Sequence, residues 1–277
     1  MTLGDCKAWM GRSHVAEDVA TPRLIMSFKA TLAPHLAEVD PGAPLGLHWC
    51  LAPEIVEAAK LGSDGHPAKG DFLPPVPFPK RMAAGGTLSF LSPVISGDRV
   101  QRRSTIASIE EKAGQSGRLC FVTVRHEFTT DRGLAIQEAQ SIVYREDAGK
   151  PAVTAGATAP RESSEFLREA AIDPVLLFRY SALTFNGHRI HYDAPYAVQE
   201  EHYPGLMVHG PLQATYLLNF AASIAERNPR RFSFRALHPA TGVTKIRLKA
   251  NARSVETATL WIEDPAGRVT MEAKAEW

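Results

Sequence analysis

The 277-residue chain contains no apolar run approaching the roughly 20 residues needed to span a bilayer as a helix, so no transmembrane anchor is expected. Its first residues lack the charged-then-apolar order of a secretory signal, because Asp5 and Lys7 interrupt it early. The acidic residues Asp5, Glu17 and Asp18 are equally unsuited to a cleaved transit peptide. Cysteine is scarce. Cys6, Cys50 and Cys120 are odd in number, widely spaced and without a CxxC pair, which argues against a disulfide framework or a structural zinc site and for a reducing compartment, here the cytoplasm. No charge of one sign dominates: Lys plus Arg (31) and Asp plus Glu (30) leave a net charge of +1, so no broad footprint for nucleic acid or an anionic membrane is expected. A local anion site stays open. A glycine-rich dinucleotide fingerprint is also missing, and no cofactor is expected.

What is present is apolar content. At 44% hydrophobic residues, the chain can bury the core of one large domain or two ordinary ones. Thr21-Pro22 followed by Leu24, Ile25, Phe28 and Leu32 reads as an N-cap, a first-turn proline and an apolar helical face. The segment from His66 to Arg81 carries five prolines, which exclude a helix and leave an ordered loop or extended arm. After Gly85-Gly86, strands are predicted at Leu88–Phe90, Val100–Ile109, Leu119–Phe128 and Ala135–Tyr144, with glycine-bearing turns between them, giving an antiparallel meander. The stretch 149–164 is small, polar and proline-bearing, and reads as a linker between lobes at 1–148 and 165–277.

The second half repeats this plan. A helix is predicted over Pro211–Ala225, where Leu212, Tyr216, Leu217, Phe220 and Ile224 recur at three- and four-residue steps. Strands are expected at Arg231–Leu237, Thr244–Arg253, Thr257–Glu263 and Val269–Trp277. The order implies an α+β chain with two lobes, each a helix wrapped by a curved antiparallel sheet, with the sheets joined edge to edge to cover otherwise exposed strands. Pro53–Leu61 is the candidate central helix of the first lobe.

Polar functional groups are densest between Arg179 and Asp193, where two histidines, two arginines, an amide and a carboxylate lie within fifteen residues beside the apolar Val175–Phe178. A solvated loop with a capping Asn would explain a lone histidine, but this cluster must lie partly against the core. The segment Tyr203–Leu212 then leads into the predicted helix, with Gly210 and Pro211 at its start. Free N–H groups and the positive end of the macrodipole are available there, and a glycine admits close approach by a ligand; an ordinary helix start is compatible with the same residues.

These two segments, YSALTFNGHRIHYD at 180–193 and VHGPL at 208–212, resemble the hydratase motif and hydratase helix of the MaoC-like (R)-specific enoyl-thioester hydratases and dehydratases. The branch most similar contains mesaconyl-CoA hydratase and the mitochondrial 3-hydroxyacyl-thioester dehydratase, and the first half, with Phe72–Pro77 and Ala84-Gly85-Gly86, resembles that branch's degenerate N-terminal lobe, of the FAS1-like dehydratase type. The resemblance implies a double hot-dog fold and a hydro-lyase acting on an acyl-CoA thioester, with coenzyme A entering only as part of the substrate. It places the family's water-holding Asp and His on Asn186 and His191, and it implies that the Gly210 N–H polarises the thioester carbonyl. The departure at Asn186 matters: a neutral amide orients water but takes no proton, so acid–base work falls on His191, alone or helped by Asp193.

Several cations are candidates for an anionic part of the substrate: Arg179 and Arg189 by proximity, Lys80 and Arg81 if the proline-rich arm closes over the site. Tyr180 and His209 are further candidates for substrate contact. His188, His191, His202 and His209 raise the question of a metal, but no HxxEH pattern or completing carboxylate accompanies them, and no metal is expected. A hot-dog thioesterase and a non-catalytic acyl-CoA-binding protein remain as rival readings, and the chain could act alone or as a homodimer.

Overall fold

The computed structural model of the chain describes residues 3–38, 42–114, 117–146 and 163–277. Among these residues ten strands form one antiparallel sheet: β1 (Ser13–Val19), β2 (Lys80–Phe90), β3 (Arg99–Gly114), β4 (Gly117–Thr130), β5 (Gly133–Arg145), β6 (Phe166–Ala171), β7 (Arg231–Ala236), β8 (Lys245–Ser254), β9 (Thr257–Glu263) and β10 (Val269–Glu276). Their spatial order is β1-β3-β4-β5-β2-β7-β10-β9-β8-β6, so the first five strands make one half of the sheet and the last five the other. The halves meet edge to edge where β2 pairs with β7, as the element order implied. Gly85 stands at this junction because a β-carbon there would collide with the carbonyl oxygen of Phe234. Most of the predicted linker, residues 149–162, lies outside the described residues.

Among the described residues, five α-helices accompany the sheet: α1 (Leu3–Cys6), α2 (Pro22–Leu32), α3 (Pro174–Leu183), α4 (Ala194–Gln199) and α5 (Gly210–Ala225). α2 begins as its sequence dictates, with Thr21 Oγ1 accepting a hydrogen bond from the Leu24 N–H at 3.1 Å and Pro22 in the first turn. α3 starts in the same way, since Asp173 accepts from the Leu176 N–H at 2.8 Å before Pro174. The apolar Val175–Phe178 is therefore the first part of a helix that delivers the functional cluster at its C-terminal end.

α5 is buried around its whole circumference from Leu212 to Ala222, more than one apolar face requires. One side packs on the second half-sheet. Another is covered by the segment before β2, where Asn219 accepts from the Ala37 N–H at 3.1 Å and donates to the Leu45 carbonyl at 2.9 Å. The main apolar core consequently crosses both halves and includes Phe28, Leu47, Leu88, Phe128, Leu217 and Phe232. Each such buried side chain contributes about 1.5–3 kcal/mol, so packing rather than intrinsic propensity holds α5 in place.

The expected central helix of the first lobe is absent. Pro53–Glu57 is not helical, only Ala58–Lys60 makes a short 3-10 turn, and Ile55 is 79% exposed. The physical reason lies in the sheet. The inward face of β3, β4 and β5 carries Arg102, Ser104, His126, Glu138 and Gln140 where an apolar helix would have to pack, so that face borders a cavity instead. Two strands escaped prediction, β1 and β6. Both are outer edges of the sheet and half solvated, which erases the alternation that marks buried strands.

Candidate active site

The cluster after α3 is a compact turn. Thr184 Oγ1 donates to the Tyr180 carbonyl at 2.8 Å and the Asn186 N–H to the Ser181 carbonyl at 2.8 Å, closing the helix end around Phe185, which adopts a left-handed φ of 52°. Asn186 Oδ1 accepts from the His188 N–H at 3.0 Å, leaving the amide nitrogen for other partners. Arg189–His191 form a 3-10 turn, and Asp193 caps α4 by accepting from the Tyr196 N–H at 3.2 Å.

His191 is buried at 6% exposure, and its Nδ1 lies 2.8 Å from the Met207 carbonyl. A carbonyl only accepts, so Nδ1 carries the proton and Nε2 presents a lone pair. Burial pulls the His191 pKa down to about 4, with the Met207 bond opposing and the charge of His66 assisting. The imidazole is therefore neutral at physiological pH. It stacks on the His209 ring, with centroids 3.6 Å apart and planes 17° apart. His209 is the residue before α5, its Nε2 lies 2.8 Å from Ser181 Oγ, and no side chain caps the helix start. The Gly210 N–H is among the first-turn donors that have no intrahelical partner. Thus the motif loop and the start of α5 converge.

Asn186, Tyr180, His209 and Pro211 line a cavity of about 220 Å3 whose opposite wall is the polar inner face of β3, β4 and β5. On that wall His126 bridges Ser104 Oγ (2.8 Å from Nδ1) and Gln140 Oε1 (3.3 Å from Nε2), and Trp49 Nε1 donates to the Glu138 carboxyl at 3.1 Å. Burial, aided by the Arg102 charge, lowers the His126 pKa to about 4. Burial raises the Glu138 pKa to about 7, against the Trp49 hydrogen bond and Arg102. This wall was not singled out from the sequence. The signal was nonetheless there, as polar residues at the inward positions of otherwise apolar strands: Val100-x-Arg102-x-Ser104, Val124-x-His126-x-Phe128 and Ile136-x-Glu138-x-Gln140.

The other cations singled out in the sequence do not reach this cavity. Arg189 is bound to Asp193 (2.8 Å), donates to the Ser63 carbonyl and lies over the Tyr196 ring. Lys80 pairs with Glu201 at 3.5 Å, and Arg81 donates to the Pro67 carbonyl at 3.0 Å with Asp64 at 4.0 Å. Arg179 lines a surface hollow with Arg23 between α2 and α3. Asp193 is engaged by Arg189 and by the α4 cap, and His191 Nδ1 turns to Met207 instead, so the suggested help from Asp193 is not supplied.

Contrary to the expectation from sequence, a carboxylate does join the histidines. The loop 61–70 folds against the motif so closely that Gly65 and Gly187 touch backbone to backbone, and it brings Asp64 and His66 to His188 with potential ligand atoms within 4.8 Å of one another. Asp64 is already engaged. It accepts from His66 Nδ1 at 3.2 Å and from the His66 N–H at 3.0 Å; these bonds and Arg81 outweigh burial and hold its pKa below the usual carboxylate range. The neighbouring guanidinium disfavours an added cation.

This architecture, two half-sheets with the histidine motif set against the start of a buried helix, defines a double hot-dog hydro-lyase of the MaoC-like class acting on acyl thioesters. The family described as "Hydroxyacyl-thioester dehydratase type 2" matches over residues 46–242, and the chain belongs to it. It is 38% identical to the mesaconyl-C(4)-CoA hydratase of Chloroflexus aurantiacus, covering 100% of this chain and 99% of that one. It is 28% identical to the mitochondrial hydroxyacyl-thioester dehydratase type 2 of Schizosaccharomyces pombe, over 92% of this chain and 94% of the relative. Among solved structures, a MaoC-like dehydratase from Phytophthora capsici superposes with a TM-score of 0.70 at 13% identity, covering 100% of this chain and 99% of that one.

Proposed function

We propose that the chain hydrates a short, branched, dicarboxylic enoyl-CoA such as mesaconyl-CoA, giving citramalyl-CoA, with His191 as the proton-transfer residue. One observation carries this reading: the neutral imidazole of His191, with its Nε2 lone pair free of the Met207 bond, is stacked on the residue that opens α5. In the reaction His191 Nε2 takes a proton from water as the oxygen bonds to the β-carbon. The Gly210 N–H, with the helix dipole behind it, stabilises the enolate oxygen. The imidazolium then returns a proton to the α-carbon, so one water is added and nothing else is consumed. The low pKa makes the imidazolium a strong donor for that last step and the imidazole a weaker base for the first, which places more of the first barrier on the oxyanion donor. Asn186, hydrogen-bonded through Oδ1 to the His188 N–H, orients the water with its amide nitrogen.

Size and lining favour a short polar acyl group over a fatty chain. About 220 Å3 is small beside the roughly 300–1,000 Å3 of typical ligand sites, and one wall is polar. Three buried free thiols fit a reducing compartment such as the cytoplasm. The test is a screen of the purified chain against crotonyl-, mesaconyl- and itaconyl-CoA, following enoyl ultraviolet absorbance and free thiol together. Loss of absorbance without thiol release is expected. Thiol release would establish a thioesterase, and saturable binding without turnover a binding protein.

A further inference from the structure

Arg102 occupies an unusual position. It projects from β3 on the inward face, beside Ser104, and its Nε is buried without a hydrogen-bond partner. Glu138 and Glu54 act on its charge through space, yet among the described residues neither forms an ion pair with it. The residue is half-buried, and a guanidinium with its Nε buried and unpartnered is costly unless an anion meets it. It is also the only lysine or arginine among the described residues that line the cavity, because Lys80, Arg81 and Arg189 are bound to other groups and Arg179 faces another surface.

We infer that Arg102 binds a free carboxylate on the acyl group and so makes this enzyme select short dicarboxylic thioesters over monocarboxylic ones, an inference that rests on the hydration reading above. Asn186 and His209 line the same small cavity as Arg102, and His191 stacks on His209, so an acyl group bound beside the motif shares its cavity with the guanidinium. The planar fork of arginine suits a carboxylate in a two-point contact. Ser104 and Gln140 leave the wall polar where the carboxylate would sit, and both are already tied to His126, which keeps the wall rigid. Glu138 does not cancel the arginine. Its carboxyl is pushed up to about 7 by burial, so a large share of it is uncharged at neutral pH. The missing helix of the first lobe gains a reason here, because an apolar helix on this wall would fill the space and bury Arg102 without any anion.

The experiment compares binding of succinyl-CoA and butyryl-CoA, saturated thioesters that cannot be hydrated, to the full chain by calorimetry. The wild type is expected to favour succinyl-CoA by roughly 30-fold or more. In Arg102→Met that preference disappears through weaker succinyl-CoA binding. Arg102→Lys keeps the charge and loses the fork, so several-fold of the preference is lost; it remains informative if the methionine variant does not fold. No preference in the wild type, or a preference that survives either substitution unchanged, overturns the inference. Enoyl-CoA turnover measured alongside keeps the two ideas apart. A protein that favours succinyl-CoA through Arg102 but hydrates no enoyl thioester retains this inference and loses the proposed reaction. One that hydrates crotonyl- and mesaconyl-CoA with no binding preference does the reverse.

Discussion

The imidazoles of His191 and His209 lie nearly parallel, 3.6 Å between centroids, and join the motif loop to the start of α5. One ring is anchored to the Met207 carbonyl, the other to Ser181, and in the proposed reaction the helix that begins after His209 supplies the donor for the developing oxyanion. Both rings are neutral, because burial holds the pKa of each below its ordinary value.

Asn186→Ala removes the amide proposed to orient water and the acceptor for the His188 N–H. Turnover should fall by roughly tenfold, less than for loss of the proton-transfer residue. Steady-state kinetics on the best enoyl-CoA checks this, and an unchanged kcat would show that the amide does not position water.

Gly210→Ala separates space from chemistry. The added methyl would meet Ala83 Cβ at 3.6 Å, an ordinary contact, so the protein should fold with a melting temperature close to that of the wild type. A thioester carbonyl must nevertheless approach the backbone at the start of α5, and kcat/KM is expected to drop at least about tenfold. Full activity in this variant would remove Gly210 from the oxyanion site.

Gly65→Ala tests the clamp between the loop 61–70 and the motif. A β-carbon at Gly65 would collide with the Gly187 carbonyl oxygen, and the left-handed φ of 84° adds strain. The melting temperature and the activity should fall together, whereas Gly97→Ala, where φ is also positive but the space is open, should lower stability only slightly and leave kinetics alone.

Stability should depend on pH through His191. Its pKa is about 4 in the folded chain and about 6.5 when unfolded, so between these values the unfolded state binds more protons and folding weakens as pH falls. From pH 7 to pH 5 this one residue accounts for on the order of 2 kcal/mol. Glu138 works in the opposite sense: with a folded pKa raised to about 7, its contribution is present at low pH and is lost as pH rises toward 7. Thermal melts of the wild type and His191→Gln across this range check the sign, since the variant should lose less stability on acidification. Parallel profiles would mean that the ring is solvated or charged in the folded protein.

Much of the fold was legible because its signals are local. The Thr21-Pro22 cap, the apolar periodicity of Leu212–Ile224 and the glycine turns each lie within a few residues of the element they define, and the structure places α2, α5 and the central strands there. α3 carries the same kind of cap, Asp173-Pro174, although its Val175–Phe178 stands out in sequence only as an apolar flank. Pro53–Leu61 reads as a helix in sequence and is not one, because its weak apolar pattern takes meaning only from what it would pack on, and that surface is polar. At the site, His191 and Gly210 stand out within short motifs. Asp64 and His66 could not be found in this way, because a loop more than a hundred residues earlier brings them to His188 through backbone contacts. Arg102 was hidden among the alternating residues of a strand, where only the knowledge of which face is inward distinguishes it from a solvated arginine.

The most direct test of the account is the rate of water addition to mesaconyl-CoA by the wild type and by His191→Ala, both shown to be folded by circular dichroism. A fall of roughly 10²–10⁴-fold in kcat is the predicted result. A folded His191→Ala protein that hydrates the thioester at the wild-type rate would contradict it.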